Sequence, residues 1–236
     1  PRTVRGLRAL VPDADRYPMY GLTEAFRSTY LDPALVDSHP ESIGRAIPFA
    51  EILVVRPDGT LAGPEEPGEL VHAGPLVAQG YWRDPERTAE RFRPAPAGAR
   101  HGGTAVWSGD TVVRDEEGLL RFVGREDEMI KSAGTRISPT EIEEAVLSGG
   151  EAVEAAAFGV PDERLGQAIV VVACARGGDA AAAEQALRAR LRLDLPNFQQ
   201  PARYVWRDHL PRNPNGKIDR PALRHAVLEQ AAEGAR

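Results

Sequence analysis

The chain has 236 residues and is mildly acidic, with 29 lysines and arginines against 35 aspartates and glutamates. That length can hold one large domain or two modest ones, and an acidic balance without a basic stripe argues against a nucleic-acid partner. No apolar run approaches the length of a membrane span, and the single cysteine excludes an internal disulfide and suits a reducing compartment. Composition therefore predicts a soluble, cytoplasmic protein.

Neither the cysteine nor the histidines indicate a reactive or metal-binding group. Cys174 lies in the apolar run 169–175, which predicts a buried strand residue rather than a nucleophile. The five histidines are scattered and have no metal-ligand spacing. The chain begins at Pro1 rather than at a methionine, and we expect it to be part of a longer protein.

The first segment of chemical interest is YPMYGLTEAFRSTYL, at 17–31. It predicts a short strand that ends at Gly21, followed by Thr23 and Glu24 where a helix or a turn begins. A hydroxyl beside a carboxylate suits a phosphate group with its Mg²⁺, because that ion prefers hard oxygen ligands. The alternative is an ordinary capped helix start.

Residues 43–123 contain short apolar runs separated by turn sequences, without helical periodicity, and predict a small β subdomain. The segment 81–92 predicts a short helix that begins near Asp84, and 94–104, rich in alanine, glycine and proline, predicts a surface loop. Strands are predicted in AEILVVRPDG, GELVHAG and EEGLLRFVG, at 50–59, 68–74 and 116–124.

Asp110 follows a glycine in VWSGDTVVRD and precedes a strand. A carboxylate at this position could accept two hydrogen bonds from a ribose diol. Most Gly-Asp pairs are simple turns, so Asp110 alone leaves both interpretations open.

The chain changes character at 124–144, from strand-and-turn sequence to alternating helices and strands. A charged run leads through the glycine-containing turn 132–134 into a strong helix start, where Ser138 fits the N-cap and Glu141 completes a capping box. Two glycines then end that helix. The stretch predicts a hinge between two domains, and the alternative is a charged surface turn before an ordinary helix.

After this stretch, the order helix, strand, strand, helix, strand, helix predicts a small α+β lobe of about a hundred residues. Lys217 lies in a loop rich in proline and asparagine near its end. It is not a P-loop lysine, because position 211 is proline where that motif requires glycine, and the alternative is an exposed surface lysine. The strands are predicted at 151–160, 167–175 and 202–208, and the later helices at 179–193 and from about Arg220.

In order and spacing, these segments resemble the C-terminal half of the AMP-forming acyl-CoA synthetase and adenylation-domain superfamily. The resemblance implies a mixed α/β and α+β fold. Residues 1–126 would be a truncated large AMP-binding lobe with a small β-barrel-like subdomain, and 127–236 a small α+β lobe. The resemblance rests on YGLTE (20–24), WSGD (107–110), GREDEMIKSAGTRISPTEIE (124–143) and NPNGKIDR (213–220), and extends through GELVHAGPLVAQGYW (68–82) and GVPDERLGQAIVVV (159–172). It therefore covers nearly the whole chain.

The resemblance also implies a nucleotide site in the first lobe. Tyr20 would stack on adenine, next to Gly21, and Asp110 would accept hydrogen bonds from the ribose hydroxyls. Arg125 would contact the ribose or a phosphate.

The implied catalytic residues are Thr23, Glu24 and Lys217. Thr23 would bind the α-phosphate, Glu24 would hold Mg²⁺, and Lys217 would be the adenylation lysine of the small lobe. Asp127 would be the hinge about which that lobe rotates. The turn formed by Ser132, Ala133 and Gly134 would then line the pantetheine tunnel of coenzyme A.

The function implied is that of a bacterial, ATP-dependent, AMP-forming acyl-CoA ligase, with ATP or AMP, Mg²⁺ and coenzyme A as cofactors. Such an enzyme activates a small-molecule carboxylic acid as its acyl-adenylate and transfers the acyl group to the CoA thiol. A carrier-protein-loading adenylation domain, with phosphopantetheine as acceptor, is one alternative. A non-catalytic nucleotide-binding module is an alternative of another class. YGLTEAFRSTYLDP and NPNGKIDR further resemble the acyl-CoA ligases associated with exosortase systems.

The chain departs from the family pattern in three places. Trp107 and Ser108 stand where tyrosine and threonine types are usual, and 94–104 resembles an extension. The Ser/Thr/Gly-rich phosphate-binding loop of the family, with its own lysine, is absent from the sequence. We therefore expect these 236 residues alone not to complete adenylation.

Overall fold

The computed structural model describes residues 2–177 and 179–234. The chain divides into two compact units, Pro1–Glu126 and Asp127–Arg236. Within the described ranges, no helix is both long enough and apolar enough to cross a membrane.

The first unit is dominated by β structure. It contains the helices α1 (Arg2–Leu10) and α2 (Pro85–Arg91), a 3₁₀ turn (Pro33–Leu35), and the strands β1 (Met19–Tyr20), β2 (Thr29–Tyr30), β3 (Ser42–Ala46), β4 (Glu51–Val55), β5 (Pro67–Ala73), β6 (Phe92–Pro94), β7 (Thr104–Arg114) and β8 (Leu120–Arg125). Helix α2 begins as predicted, because Asp84 accepts a hydrogen bond from the Arg87 N–H and proline occupies the first helical position.

The strands of the first unit form one open antiparallel sheet in the order β1-β2-β3-β8-β7-β5-β4, with β6 also paired to β7. The predicted β-barrel-like subdomain is therefore wrong. Closure needs its first and last strands to pair along their length, and β1, with two residues, stands at the opposite edge from β4. Successive residues of a strand point to opposite faces of the sheet, so neighbours belong to different apolar clusters. Leu53 and Val71 lie in one cluster, and Val54 and Leu70 lie in another.

The second unit has the predicted α-β-β-α-β-α order, preceded by a hairpin that the sequence analysis treated only as a turn. Its elements are β9 (Ile130–Ser132), β10 (Thr135–Ile137), α3 (Pro139–Ser148), β11 (Ala152–Asp162), β12 (Gly166–Ala175), α4 (Ala180–Asp194), a 3₁₀ turn (Asn197–Gln199), β13 (Arg203–Trp206) and α5 (Arg220–Gly234).

A three-stranded sheet forms the centre of the second unit, with β12 in the middle, antiparallel to β11 and parallel to β13. One face packs on α3 and α4 through residues such as Ile142 and Leu187, and the other packs on α5 through Leu223 and Val227. A strand that is covered on both faces has apolar residues at successive positions, because neither face is exposed to solvent. The sequence of β12 was therefore recognisable as a buried strand. Cys174 is buried there, as predicted.

Helix α3 begins at the predicted residue. Ser138 Oγ accepts a hydrogen bond from the Glu141 N–H at 3.4 Å, and Pro139 occupies the first helical position. The Glu141 carboxylate accepts a 3.0 Å hydrogen bond from Gln199 Nε2 and so connects this helix start to the second 3₁₀ turn. The helix ends at Ser148 with Gly149 as its C-cap, followed by Gly150 at φ +85°.

Candidate active site

Tyr20, Asp110 and Arg125 meet in the first unit, although the chain separates the first two by 90 residues. The pairing of β7 with β8 places Asp110 opposite Arg125, whose Nη1 donates to Asp110 Oδ1 at 3.0 Å. The Tyr20 hydroxyl donates to Asp110 Oδ2. The Asp110 N–H donates to Ser108 Oγ at 3.0 Å, which fixes the turn that carries the carboxylate. Three of the predicted nucleotide-binding residues thus form one cluster.

The Tyr20 hydroxyl is a permanent hydrogen-bond donor in this cluster. Burial raises the pKa of Tyr20, and the negative charge of Asp110 raises it further. Asp110 is itself buried, whereas Arg125 is partly exposed. The cluster therefore presents a fixed carboxylate between a cation and a protonated phenol.

Gly21 directly follows Tyr20 and leaves no room for a side chain. A Cβ atom at this position would lie 2.2 Å from the backbone nitrogen of Arg27 and 3.2 Å from the carbonyl oxygen of Ala25. The close approach folds the 21–27 segment into a tight turn. The sequence motif thus has a steric reason for glycine, separate from any contact with a nucleotide.

Thr23 and Glu24 lie in this turn rather than at a helix start, so the turn is the correct one of the two predicted alternatives. Thr23 is exposed, and Glu24 is half-buried. Glu24 Oε1 accepts a hydrogen bond from the hydroxyl of Tyr81. Burial raises the pKa of Tyr81, and the Glu24 carboxylate adds to the rise, so Tyr81 remains the donor.

Two residues of this region were missed in the sequence, Tyr81 and His72. The N–H of Tyr81 donates to Thr88 Oγ1 at 2.9 Å, and its ring packs edge-on against Phe92 with centroids 5.5 Å apart. Because 57 residues separate Tyr81 from Glu24, no local pattern indicated this contact.

His72 lies on β5 and is completely buried. Its ring stacks on that of Tyr20 with centroids 6.0 Å apart and an interplanar angle of 11°. Neither ring nitrogen has a hydrogen-bond partner among the described residues. Burial lowers the pKa of His72 to about 4, although the charge of Glu24 acts in the opposite direction. A histidine inside the apolar run GELVHAG was the sequence signal for this residue.

We expect His72 to make the folding stability depend on pH. The unfolded chain takes up the His72 proton near pH 6.5 and the folded chain only near pH 4, so stability is lost as the pH falls through this window. The loss is about 1.4 kcal/mol per pH unit, ~3 kcal/mol in all. Urea unfolding from pH 7.5 to 4 should show a steeper loss of stability in the wild type than in His72→Phe, and the difference between the two slopes is the His72 contribution, because carboxylates with a lowered pKa such as Glu51 and Glu151 act equally in both proteins. The exposed His225, changed to glutamine, is the matched control. An equal slope in His72→Phe would contradict the assignment.

Lys217 is exposed and lies in the second unit, on the loop 211–219, called here the Lys217 loop. The two ends of this loop are joined by a hydrogen bond from the Asp219 N–H to the Pro211 carbonyl. The Asn213 N–H donates to the Lys217 carbonyl at 2.8 Å, and Asn213 Oδ1 accepts from the N–H groups of Asn215 and Lys217 at 3.0 and 3.1 Å. No acidic side chain in the described part of the chain forms an ion pair with Lys217. The loop therefore holds the lysine backbone and leaves its ammonium group available.

The other predicted residues also lie in the second unit. Asp127 is its first residue, and its role as a hinge stays a prediction. Ala133 and Gly134 form the two-residue turn of the β9–β10 hairpin, with φ values of +48° and +78° that match a type I′ turn. Ser132 is buried, and the Ala133 N–H donates to the Leu165 carbonyl at 2.8 Å. Their part in a pantetheine tunnel also stays a prediction.

Two family models match the chain. The model described as AMP-binding enzyme matches residues 1–82, and the model described as AMP-binding enzyme C-terminal domain matches residues 141–217. One match lies in each compact unit.

Proteins of known activity resemble most of the chain. The long-chain-fatty-acid–CoA ligase of Escherichia coli O157:H7 is 36% identical over 205 residues, which are 87% of this chain and 35% of that protein. Tyrocidine synthase 2 of Brevibacillus parabrevis is 35% identical over 226 residues, which are 94% of this chain and 6% of that protein.

Among solved structures, o-succinylbenzoate CoA synthetase from Bacillus subtilis, in complex with its acyl-adenylate intermediate, matches with a TM-score of 0.82 and 25% identity. The match covers 94% of this chain and 43% of that structure. The chain thus spans less than half the length of each of these proteins. Both family models match in chain order, and sequence relatives and structures agree, so this chain belongs to the superfamily of adenylate-forming, AMP-binding enzymes.

Proposed function

We propose that this chain is the C-terminal part of an ATP-dependent, AMP-forming acid–thiol ligase. The enzyme activates a carboxylic acid as its acyl-adenylate and transfers the acyl group to the thiol of coenzyme A. The observation that carries the proposal is the assembled cluster of Tyr20, Asp110 and Arg125 in a chain of this superfamily.

The donor set of the cluster fits a nucleotide. A fixed, buried carboxylate suits the two hydroxyl groups of a ribose, which are donors that need acceptors. The guanidinium of Arg125 lies 3.0 Å from that carboxylate and is partly exposed, so it can also face a phosphate or a ribose oxygen. The partly buried ring of Tyr20 provides an aromatic surface next to them.

Glu24 fits the role of a magnesium ligand. Mg²⁺ is usually held by one or two carboxylates together with phosphate oxygens of the substrate, and a single half-buried glutamate matches that pattern. Tyr81 holds one carboxylate oxygen of Glu24 by donating to it, which fixes the direction of the group. When bound, the ion would offset negative charge on the phosphates.

Lys217 supplies a positive charge on a fixed loop. Attack of a carboxylate on the α-phosphorus expels pyrophosphate, and negative charge develops on the α-phosphate oxygens and on the departing pyrophosphate. An ammonium group directed at those oxygens stabilises the transition state more than the substrates. We propose this role for Lys217, with Thr23 binding the α-phosphate.

The acceptor thiol distinguishes two versions of the proposal. Similarity to the fatty-acid ligase supports coenzyme A, with the turn Ser132–Gly134 lining its pantetheine arm and Asp127 as the hinge. Similarity to the tyrocidine synthase supports the alternative, in which the acceptor is the phosphopantetheine of a carrier protein. A relation to exosortase-associated ligases and a cytoplasmic location remain predictions from the sequence.

The test is ATP–pyrophosphate exchange on the full-length protein, scanned over a panel of carboxylic acids. We expect Mg²⁺-dependent exchange with at least one acid, followed by thioester formation when coenzyme A is added. Thioester formation only with a carrier protein would favour the alternative acceptor. Tight nucleotide binding without exchange for any acid would overturn the proposal and favour a non-catalytic nucleotide-binding module.

A further inference from the structure

Arg220, the first residue of α5, connects the Lys217 loop to two other segments of the second unit. Its Nε and Nη2 donate to the two carboxylate oxygens of Glu143 on α3 at 3.0 and 2.7 Å. Its Nη1 donates to Glu128 Oε2 at 3.2 Å. Arg220 lies three residues after Lys217 in the sequence. Its bidentate ion pair with Glu143 therefore connects the Lys217 loop to α3.

Glu143 is a firm attachment point for this arginine. Its side chain is only 12% exposed, and its Oε1 also accepts a hydrogen bond from the Ala157 N–H on β11 at 2.8 Å. The carboxylate is thus held by both α3 and the central sheet. The strong charge-assisted pairing raises the pKa of Arg220, with Glu143 as the main cause.

A second ion pair, between Arg212 and Glu154, joins the other end of the loop to β11. These side chains are 50% and 32% exposed, whereas those of Arg220 and Glu143 are 28% and 12% exposed. Exposed ion pairs add little to stability, and partly buried bidentate pairs restrict geometry much more. Of the two ion pairs, that of Arg220 therefore restricts the loop more, and it adds to the apolar packing of Ile218 on the core of the unit.

The loop itself is internally rigid, because Asn213 binds the backbone of Asn215 and Lys217. When the Arg220 pairs are lost, a rigid loop keeps its shape, and the remaining contacts, the packing of Ile218 and the Arg212–Glu154 pair, leave it free to change its orientation on the body of the unit. The position of the Lys217 ammonium group then depends on the attachment at Arg220.

We propose that Arg220 is a positioning residue for adenylation, which sets the direction of Lys217 through its ion pairs with Glu143 and Glu128. This inference rests on the proposed function of Lys217. A lysine side chain at position 220 keeps the charge but cannot bind both oxygens of Glu143 in a planar fork, so the orientation is lost and the charge is retained.

The test compares Arg220→Lys with wild type in the full-length protein, with the acid found in the exchange panel. We expect ATP–pyrophosphate exchange to fall by about 10- to 100-fold, through kcat rather than through the KM for ATP. The reaction of supplied acyl-adenylate with coenzyme A should change by less than about twofold, because Lys217 serves only the first step.

Arg190→Lys is the matched control for stability. Arg190 also binds a glutamate through two nitrogens, both at 3.0 Å from Glu151, and the two side chains are 22% and 15% exposed. It lies on α4, away from the Lys217 loop in sequence. We expect this variant to lose stability as Arg220→Lys does, with exchange unchanged. If Arg220→Lys does not yield folded protein, Glu143→Gln replaces it.

Lys217→Ala separates failure of this inference from failure of the proposed function. If Lys217→Ala loses exchange and Arg220→Lys keeps it, the positioning role is wrong and the proposed function stands. If Lys217→Ala keeps exchange, the assignment of Lys217 itself is wrong. Equal losses in both half-reactions for Arg220→Lys would show a purely structural role and would overturn the inference.

Discussion

Replacing Lys217 by alanine in the full-length protein should lower ATP–pyrophosphate exchange by about 100-fold or more. The ammonium group acts on charge that develops during adenylyl transfer to the carboxylate, so its removal destabilises the transition state and hardly affects the bound substrates. The KM for ATP should therefore change little while kcat falls. Steady-state exchange kinetics at saturating Mg²⁺ measure both constants.

Two control variants make this result specific. Arg192→Ala removes an exposed positive charge from α4 and should leave exchange unchanged, which excludes a general effect of net charge. Lys217→Arg keeps the charge but alters its reach and should recover only part of the rate. Exchange that survives in Lys217→Ala would mean that another cation acts on the transferring group.

Replacing Asp110 by asparagine should weaken nucleotide binding by about tenfold to 100-fold, because a hydrogen bond to a charged group contributes about 1.5–3 kcal/mol. Asparagine keeps the size of the side chain and one acceptor oxygen but loses the charge that pairs with Arg125. Titration calorimetry with AMP measures the change in Kd, first on this chain and then on the full-length protein.

The matched control is Asp115→Asn in the same unit. Asp115 accepts a 2.8 Å hydrogen bond from the Leu119 N–H in the turn before β8, outside the Tyr20 cluster. This variant should lower stability slightly and leave the Kd for AMP unchanged. If Asp110→Asn binds AMP as tightly as the wild type, Asp110 is not the ribose acceptor, and its role is to hold Tyr20 and Arg125 in place.

Local features of the fold were predictable from the sequence because their causes are local. A side-chain cap with proline in the first turn marked the starts of α2 and α3. An uninterrupted apolar run marked β12, and that run also placed Cys174 in the interior. The hairpin of β9 and β10 was missed because each strand has only three residues, too few for an alternating pattern.

Features that depend on distant pairing were not predictable from residue patterns. Whether a sheet closes depends on which strands end at its edges, and this led to the wrong expectation of a barrel. The contacts of Tyr81 with Glu24 and of Arg220 with Glu143 join residues 57 and 77 positions apart. Motif resemblance gave Asp110 and Arg125 their expected roles, but it contained no information on His72 or Tyr81.

The connections in the central sheet of the second unit set an order for its folding. Strands β11 and β12 are joined by only the residues between Asp162 and Gly166, so their antiparallel pairing closes a very short loop. The parallel partner β13 joins only after α4 and the following turn have been placed. Hairpins form in about 1–10 μs, and pairing across a longer crossover is slower because more chain entropy is lost first. We therefore expect β11 and β12 to form the folding nucleus, with the Lys217 loop, which follows β13, ordered last.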